Sequence, residues 1–174
     1  MLTIETRRMR MVEAAETDVE AIIAMERHPD NRDFIWMGTA QEHREEIRDP
    51  DHLLLLFRAQ EGGEVLGYSL NHLNRKSHVF EIRRIVITDK GKGYGREAMK
   101  ALIRYAFDKA DTNRLWLDVY PDNPRGIHLY ESLGMHRDGV LRQNYLSDRG
   151  YLDQIVYSLL RSEYEAAADR YQED

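Results

Sequence analysis

The chain has no cysteine. Disulfides, thiolate metal sites and a cysteine nucleophile are excluded together, and the redox compartment stays open. Long apolar runs are missing too. The longest, Leu53 to Phe57, is far short of the roughly 20 residues that cross a bilayer. The opening segment, Met-Leu-Thr-Ile-Glu-Thr-Arg-Arg, lacks the apolar core of a signal peptide. A basic excess is also absent. Lys and Arg number 25 against 31 Asp and Glu, for a net charge of −6, whereas nucleic-acid binders usually show the opposite balance. The seven histidines have no paired ligand spacing, so no metal site is expected. A cytoplasmic protein with neither membrane nor nucleic-acid partner is the expectation. At 174 residues it is read as one domain over 1–174, with a core of about 6–160 and a terminal helix over about 162–172.

What is present is organised around Glu81 to Ala110. Ile82, Ile85, Val86 and Ile87 make an apolar strand that runs into a loop with Gly91, Gly93 and Gly95. Behind it, Ala98, Met99, Leu102, Ile103, Ala106 and Phe107 recur at helical spacing. Strand, glycine loop and helix in that order gather free backbone N–H groups and the positive end of a helix dipole at one point. Glycine lets a ligand approach the backbone closely. Lys90, Lys92, Arg96 and Lys100 crowd the same turn. Such a place binds a phosphorylated ligand.

The rest of the chain supplies the frame. Residues 6–12 read as a first strand. Thr17 and Glu20 make a capping-box pattern for a helix ending near Arg27, and Thr39 and Glu42 make another for a polar helix ending before Pro50. Leu53–Gln60, Val65–Leu73 and His78–Ile87 read as antiparallel neighbours joined by turns at Gly62-Gly63 and Asn74–Ser77. Arg114–Tyr120 alternates, with Leu115, Leu117 and Val119 on one face, and the intervening helix makes it parallel to the 78–87 strand. Asn123 and Pro124 open a helix that Gly134 closes. Met135 to Leu160 reads as strands around a turn at 147–150. Ser162 to Tyr171 reads as a last helix. The fold class is therefore α+β: a mixed, mostly antiparallel sheet with one parallel crossover, flanked by helices.

Three loop types compete for the glycines. A triphosphate P-loop needs G-x-x-x-x-G-K-[ST], which no window supplies. Gly93-Tyr94-Gly95-Arg96-Glu97-Ala98 matches the dinucleotide spacing, with Asp118 near the place of a ribose-binding acid. The antiparallel strands before it do not suit that fold. The third type is an acyl-CoA loop. Lys90-Gly91-Lys92-Gly93-Tyr94-Gly95 resembles the Arg/Gln-x-x-Gly-x-Gly/Ala loop of the GNAT superfamily of acyl-CoA-dependent N-acetyltransferases, with Lys at the first position. Asn123 to Met135 is similar to that family's Asn-x-x-Ala-x-x-x-Tyr-x-x-x-Gly-Phe segment, with Gly126 and Met135 as departures. Leu141 to Tyr145 and the ending Ser158-Leu159-Leu160 resemble the branch with ribosomal-protein N-terminal and polyamine acetyltransferases.

The resemblance implies acetyl transfer from acetyl-CoA to a primary amine: a protein or peptide N-terminus, a polyamine or another small amine. Gly91 to Arg96 would cradle the pyrophosphate, with Lys90 beside them. Backbone of Ile85, Val86 and Ile87 would pair with the pantetheine arm. Tyr130 matches the general acid, a phenol of pKa ~10 serving a thiolate near ~8.5. Asn123 caps its helix and is placed to touch CoA. An amine must lose its proton, and Glu81 is the candidate base, with Asp118 as an alternative. Trp36, Phe34 and Tyr145 are candidates for the acceptor pocket. A homodimer is what relatives suggest. A non-catalytic acyl-CoA-binding domain and a dinucleotide-dependent oxidoreductase remain as alternative functions.

Overall fold

The computed structural model describes residues 2–172; Met1 and residues 173–174, at the ends of the expected domain, lie outside the described residues. Eight strands form one sheet. They are β1 (Thr3–Glu5), β2 (Met9–Glu13), β3 (His52–Ala59), β4 (Val65–Asn74), β5 (Val79–Ile87), β6 (Arg114–Val119), β7 (His136–Ser147) and β8 (Gly150–Leu160). Their spatial order is β1-β2-β3-β4-β5-β6-β8-β7. Every pairing is antiparallel except β5 with β6, as the alternation and the crossover predict.

Helices α1 (Val19–Arg27) and α2 (Ala40–Arg48) cover one face of the sheet, where Ile22, Met25, Leu54, Leu56, Tyr68, Leu70 and Val86 pack together. The long α3 (Tyr94–Asp108) and α4 (Pro124–Ser132) cover the other. There Met99, Leu102, Ile103, Phe107 and Tyr130 pack on Phe57, Phe80, Ile82, Leu115 and Leu117. The β3 apolar run is buried on both sides, which explains why its sequence does not alternate.

Two features of β5 shape the cleft. Leu70 faces Arg84 but Asn71 faces Ile82, so Arg83 is an extra residue. This bulge bends the strand and reverses which side chains face which layer. Phe80 and Ile82 point to α3, whereas Arg84 and Val86 point to α1 and α2. Pairing with β6 then stops at Glu81 opposite Trp116. Beyond that pair the two strands diverge.

Some expectations need correction. The strand expected over 6–12 begins only at Met9: residues 6–8 form a tight turn between β1 and β2, in which Thr6 Oγ1 and N–H both donate to Met9 O. The Thr17–Glu20 box does not form. A 3-10 turn at Glu16–Asp18 precedes α1, and Asp18 accepts from the Ala15 N–H at 2.9 Å. The Thr39–Glu42 box does form, with bonds of 2.7 and 3.2 Å. The last helix is broken at Ala167 into α5 (Arg161–Ala166) and a 3-10 turn, Ala168–Tyr171.

Candidate active site

The divergence of β5 and β6 opens a cleft of about 1570 Å³. Its walls are Glu81–Ile87 on one side and Trp116–Tyr120 on the other. The end of β5 leads into the glycine loop. Gly91 and Gly93 sit at φ 81° and 82°, which L side chains resist, and Gly93 caps α3. A side chain at Gly91 would meet nothing within 4 Å, so the space before the loop is open. The first-turn N–H groups of α3 face that space without a side-chain cap. Glu97, the one acid in that turn, is held by Thr6 Oγ1 at 2.7 Å and by Arg8 Nε at 2.6 Å. The dipole end is left to an external anion.

The basic cluster is less concentrated than its spacing suggests. Lys90 donates to Asp30 O at 3.0 Å and to Asn31 Oδ1, tying the glycine loop to the α1–α2 loop. Lys92 pairs with Asp89 at 2.6 Å and does not line the cleft. Arg96 donates to Ser132 Oγ at 2.7 Å from the cleft wall. Lys100 is buried and donates to Gln172 O at 3.0 Å. Arg125 and His128, on the exposed side of α4, line the same mouth.

Asp118 follows Trp116 by two residues, so both project to the α1–α2 side of β6. Its carboxyl is pushed up to about 6, first by burial and then by the charge of Glu81, against a hydrogen bond from Gln154 Nε2 at 2.8 Å. Asn144 Nδ2 holds Gln154 Oε1 at 2.6 Å. Asn144 and Gln143 belong to an irregular stretch of β7 between Leu141 and Tyr145. Tyr130 approaches from the opposite layer, packed with Leu117 and Val119. Burial, aided by the charge of Asp118, raises its phenol well above the ordinary value. Asp118 and Tyr130 thus meet the same cleft from opposite faces of the sheet.

A family model described as "Acetyltransferase (GNAT) family" matches residues 13–135. The chain belongs to the GNAT acetyltransferase family. Among curated relatives, the spermidine N(1)-acetyltransferase of Vibrio cholerae is 27% identical over 96 residues, covering 55% of this chain and 54% of that one. The [ribosomal protein bS18]-alanine N-acetyltransferase of Escherichia coli is 29% identical over 115 residues, covering 59% and 76%. An uncharacterized N-acetyltransferase of Bacillus licheniformis, p20, is 36% identical over 74 residues, covering 42% of each. The chain spans about half the length of the first and last of these. Solved structures share the fold. A GNAT-family acetyltransferase from Bacillus anthracis superposes with TM-score 0.77 at 21% identity, covering 93% of this chain and 100% of that one. The Vibrio cholerae spermidine N-acetyltransferase in complex with CoA and spermine gives 0.80 at 19%, covering 92% and 99%.

Within this GNAT fold, the sequence-expected residues fall unevenly. Ile85, Val86, Ile87, Lys90, Gly91, Gly93, Tyr94, Gly95, Arg96, Asn123 and Tyr130 all line the cleft. Ile85 and Ile87 pack towards the α3 layer and Val86 towards the α1–α2 layer. Asn123 caps α4 through the Gly126 N–H at 3.0 Å. Glu81 lines the cleft but is engaged by Arg83 Nε at 2.9 Å, with His72 Nδ1 at 3.7 Å. Trp36, Phe34 and Ile35 line its far end. Tyr145 stands behind that end, stacked on Tyr120 at 5.8 Å and tilted against Trp36 at 5.9 Å. Sequence reading missed Arg125, Gln154 and Tyr120, whose exposure to the cleft depends on tertiary placement. Among the described residues no group of His, Asp and Glu is arranged to hold a metal, and no helix is long and apolar enough to cross a membrane.

Proposed function

We propose that this chain transfers an acetyl group from acetyl-CoA to a primary amine. The observation that carries the reading is the split sheet, with an open anion cradle at one end and a carboxyl and a phenol facing each other across it. The cradle at Gly91–Arg96, flanked by Arg125, suits the pyrophosphate. The unpaired inner edge of β5 over Ile82–Ile87 offers backbone groups to an extended amide arm. When bound, acetyl-CoA supplies an acyl thioester already activated towards an amine.

The chain's own residues supply the proton handling. We assign the base to Asp118 rather than Glu81. Glu81 is held in an ion pair with Arg83 at 2.9 Å, whereas the Asp118 carboxyl at about 6 is ionised at neutral pH yet closer to an amine's pKa than an ordinary carboxylate. Asp118 Oδ accepts the ammonium proton, directly or through water, and Glu81 acts by raising Asp118. The Tyr130 phenol stays protonated at every working pH and is available to donate to a departing thiolate. The acceptor arrives as a cation. Glu42 and Glu45 on α2 and Asp49 at its end line the cleft, and their field attracts it. Trp36 and Tyr120 wall the entry.

Two measurements test this. Acetyl-CoA at about a hundredfold excess over its Kd adds about 2.7 kcal/mol, which raises Tm by roughly 5–10 °C for a domain of this size. An acceptor panel of N-terminal peptides, polyamines and amino sugars then identifies the amine. No thermal shift at millimolar acetyl-CoA removes the proposal, and a shift without acetylation of any amine leaves only a binding domain.

A further inference from the structure

Beneath the acceptor end of the cleft lies a buried group of charges that the reaction does not use. Glu26 on α1 and His43 on α2 are both 0% exposed, and Arg84 on β5 is nearly so. Glu26 Oε1 accepts from the Tyr68 hydroxyl and from Arg84 Nη1 at 3.3 Å, and lies 3.1 Å from His43 Nε2. Its Oε2 accepts the Gly38 N–H at 2.9 Å. His43 Nδ1 reaches Glu46 Oε2 at 2.8 Å, and Arg84 Nη2 lies 3.8 Å from Glu46 Oε1. Two carboxylates face one guanidinium and one imidazolium, so the group is neutral when His43 is charged.

Its outward contacts go to the α1–α2 loop. Besides the Gly38 bond, the Arg84 guanidinium lies 5.5 Å from the centroid of the Trp36 ring. Trp36 itself is 54% exposed, so little else fixes that ring. Its other partner is Tyr145. At Gly38 a Cβ would stand 2.7 Å from His43 Nε2 and 2.8 Å from Arg84 Nη1. Only glycine lets the loop close on the charges. A buried ion group is a weak source of stability, since desolvation offsets most of the attraction, and its best-attested use is to fix one arrangement.

We infer that Glu26 and Arg84 are positioning residues for the acceptor amine, acting through Gly38 and Trp36 to set the α1–α2 loop against the cleft. This rests on the acetyl-transfer reading for its kinetic consequence, but not for its structural one. Arg84→Lys keeps the charge and loses the planar group over the indole. Glu26→Gln keeps the size and removes the charge that gathers the other groups.

The structural arm uses Trp36 as the sole indole, in a Trp116→Phe background. Arg84→Lys is expected to shift Trp36 emission to longer wavelength and to raise its acrylamide quenching about twofold. Unchanged emission and quenching overturn the inference whether or not any amine is acetylated. The kinetic arm uses the amine found in the acceptor panel. Arg84→Lys and Glu26→Gln should each raise the KM for amine about five- to tenfold, the range of one cation–π or hydrogen-bond contact, with the KM for acetyl-CoA within about twofold. In a Trp36→Ala background the Arg84→Lys effect should shrink below about twofold, because the ring through which it acts is gone. Because Trp36 is exposed, that background is expected to fold, so the test survives if a buried substitution does not. Equal changes in both KM values overturn the inference, as does an Arg84→Lys effect undiminished without Trp36. Failure of every amine in the wild-type protein would count against the acetyl-transfer reading, leaving the fluorescence arm to decide this one.

Discussion

Gln154→Leu and Glu81→Gln should move the acidic limb of the pH–rate profile in opposite directions. The limb in kcat/KM for the amine reports the base of the enzyme form that meets the amine, and Asp118 places it near pH 6. Gln154 Nε2 donates to the Asp118 carboxylate at 2.8 Å. That bond favours the charged form, so its loss raises the pKa. A hydrogen bond to a charged group is worth about 1.5–3 kcal/mol, and one pH unit corresponds to about 1.36 kcal/mol. The limb of Gln154→Leu should therefore rise by about one to two pH units. Glu81 acts the other way: its charge disfavours ionisation of Asp118, so Glu81→Gln should move the limb to lower pH. The assay is kcat/KM for the amine from pH 5 to 9 at saturating acetyl-CoA. The amine's own titration appears higher, near ~8 for a peptide terminus or ~10 for a polyamine. It is common to all the enzymes and cannot produce opposed movements. A limb that stays in place in both variants, or moves the same way in both, refutes Asp118 as the base. Loss of activity in Glu81→Gln across the whole range would return the role to Glu81.

Three further outcomes follow from the same geometry. Tyr130→Phe should lower kcat by about 100-fold, the scale of general acid catalysis, while the acetyl-CoA Kd from calorimetry stays within about twofold; equal kcat would remove Tyr130 as the acid. Asp118→Asn should stabilise the fold while abolishing activity. The folded pKa of about 6 lies above the unfolded value, so the wild type loses stability as pH rises between them. Denaturant unfolding at pH 8 should show a gain of up to about 3 kcal/mol that fades towards pH 4. His43 has the opposite sign. Burial opposes its charge, but Glu26 and Glu46 overcome this and hold it at about 9. Glu42, Tyr68 and Arg84 also face this group. Stability from His43 is fully present below pH ~6.5 and is lost as pH rises through about 9, by roughly 3 kcal/mol at most. Urea unfolding from pH 6 to 10 checks this, and the loss should be absent in His43→Gln.

Much of the sheet was legible because its signals are local. The β3 run, the Gly62-Gly63 turn and the alternation of Leu115, Leu117 and Val119 each specify a strand without reference to the rest. Asn123-Pro124 marked α4 because a cap and a fixed φ are properties of those two residues. The Arg83 bulge was not legible. Nothing in Glu-Ile-Arg-Arg-Ile says that one arginine is extra, yet the bulge sends Arg84, not Arg83, into the buried charges under the α1–α2 loop. Lys100 illustrates the reverse error. It is near the glycine loop in sequence but lies one helical turn and more into α3, where it turns to the C-terminal segment. Gln154 carried no signal at all, since a glutamine in a half-exposed strand looks ordinary until Asp118 is found beside it. Asp118 itself could be found, as an acid alternating with the core residues of the strand after the crossover, but its raised pKa comes from burial and from the charge of Glu81 on β5.

The site is a consequence of where pairing stops. In a continuous sheet, residues on opposite faces are separated by a layer of backbone, and Asp118 and Tyr130 would never meet one ligand. Pairing of β5 with β6 ends after Val79, Phe80 and Glu81. Past that point the inner edges of both strands are free of each other, a state that sheets otherwise cover or blunt. The same gap thus provides a backbone edge for an extended arm and a passage through which the two faces communicate. The bulge at Arg83 bends β5 where the gap begins and sets Ile85 and Ile87 towards the α3 layer. Deleting Arg83 would remove the extra residue and leave Glu81, Arg84 and Val86 on the faces they already occupy, with Arg84 still against Glu26. What the deletion removes is the bend where the gap begins, together with the Arg83 contact to Glu81. By this argument the deletion should lower activity without unfolding the chain, even though it lies at neither the glycine loop nor Asp118.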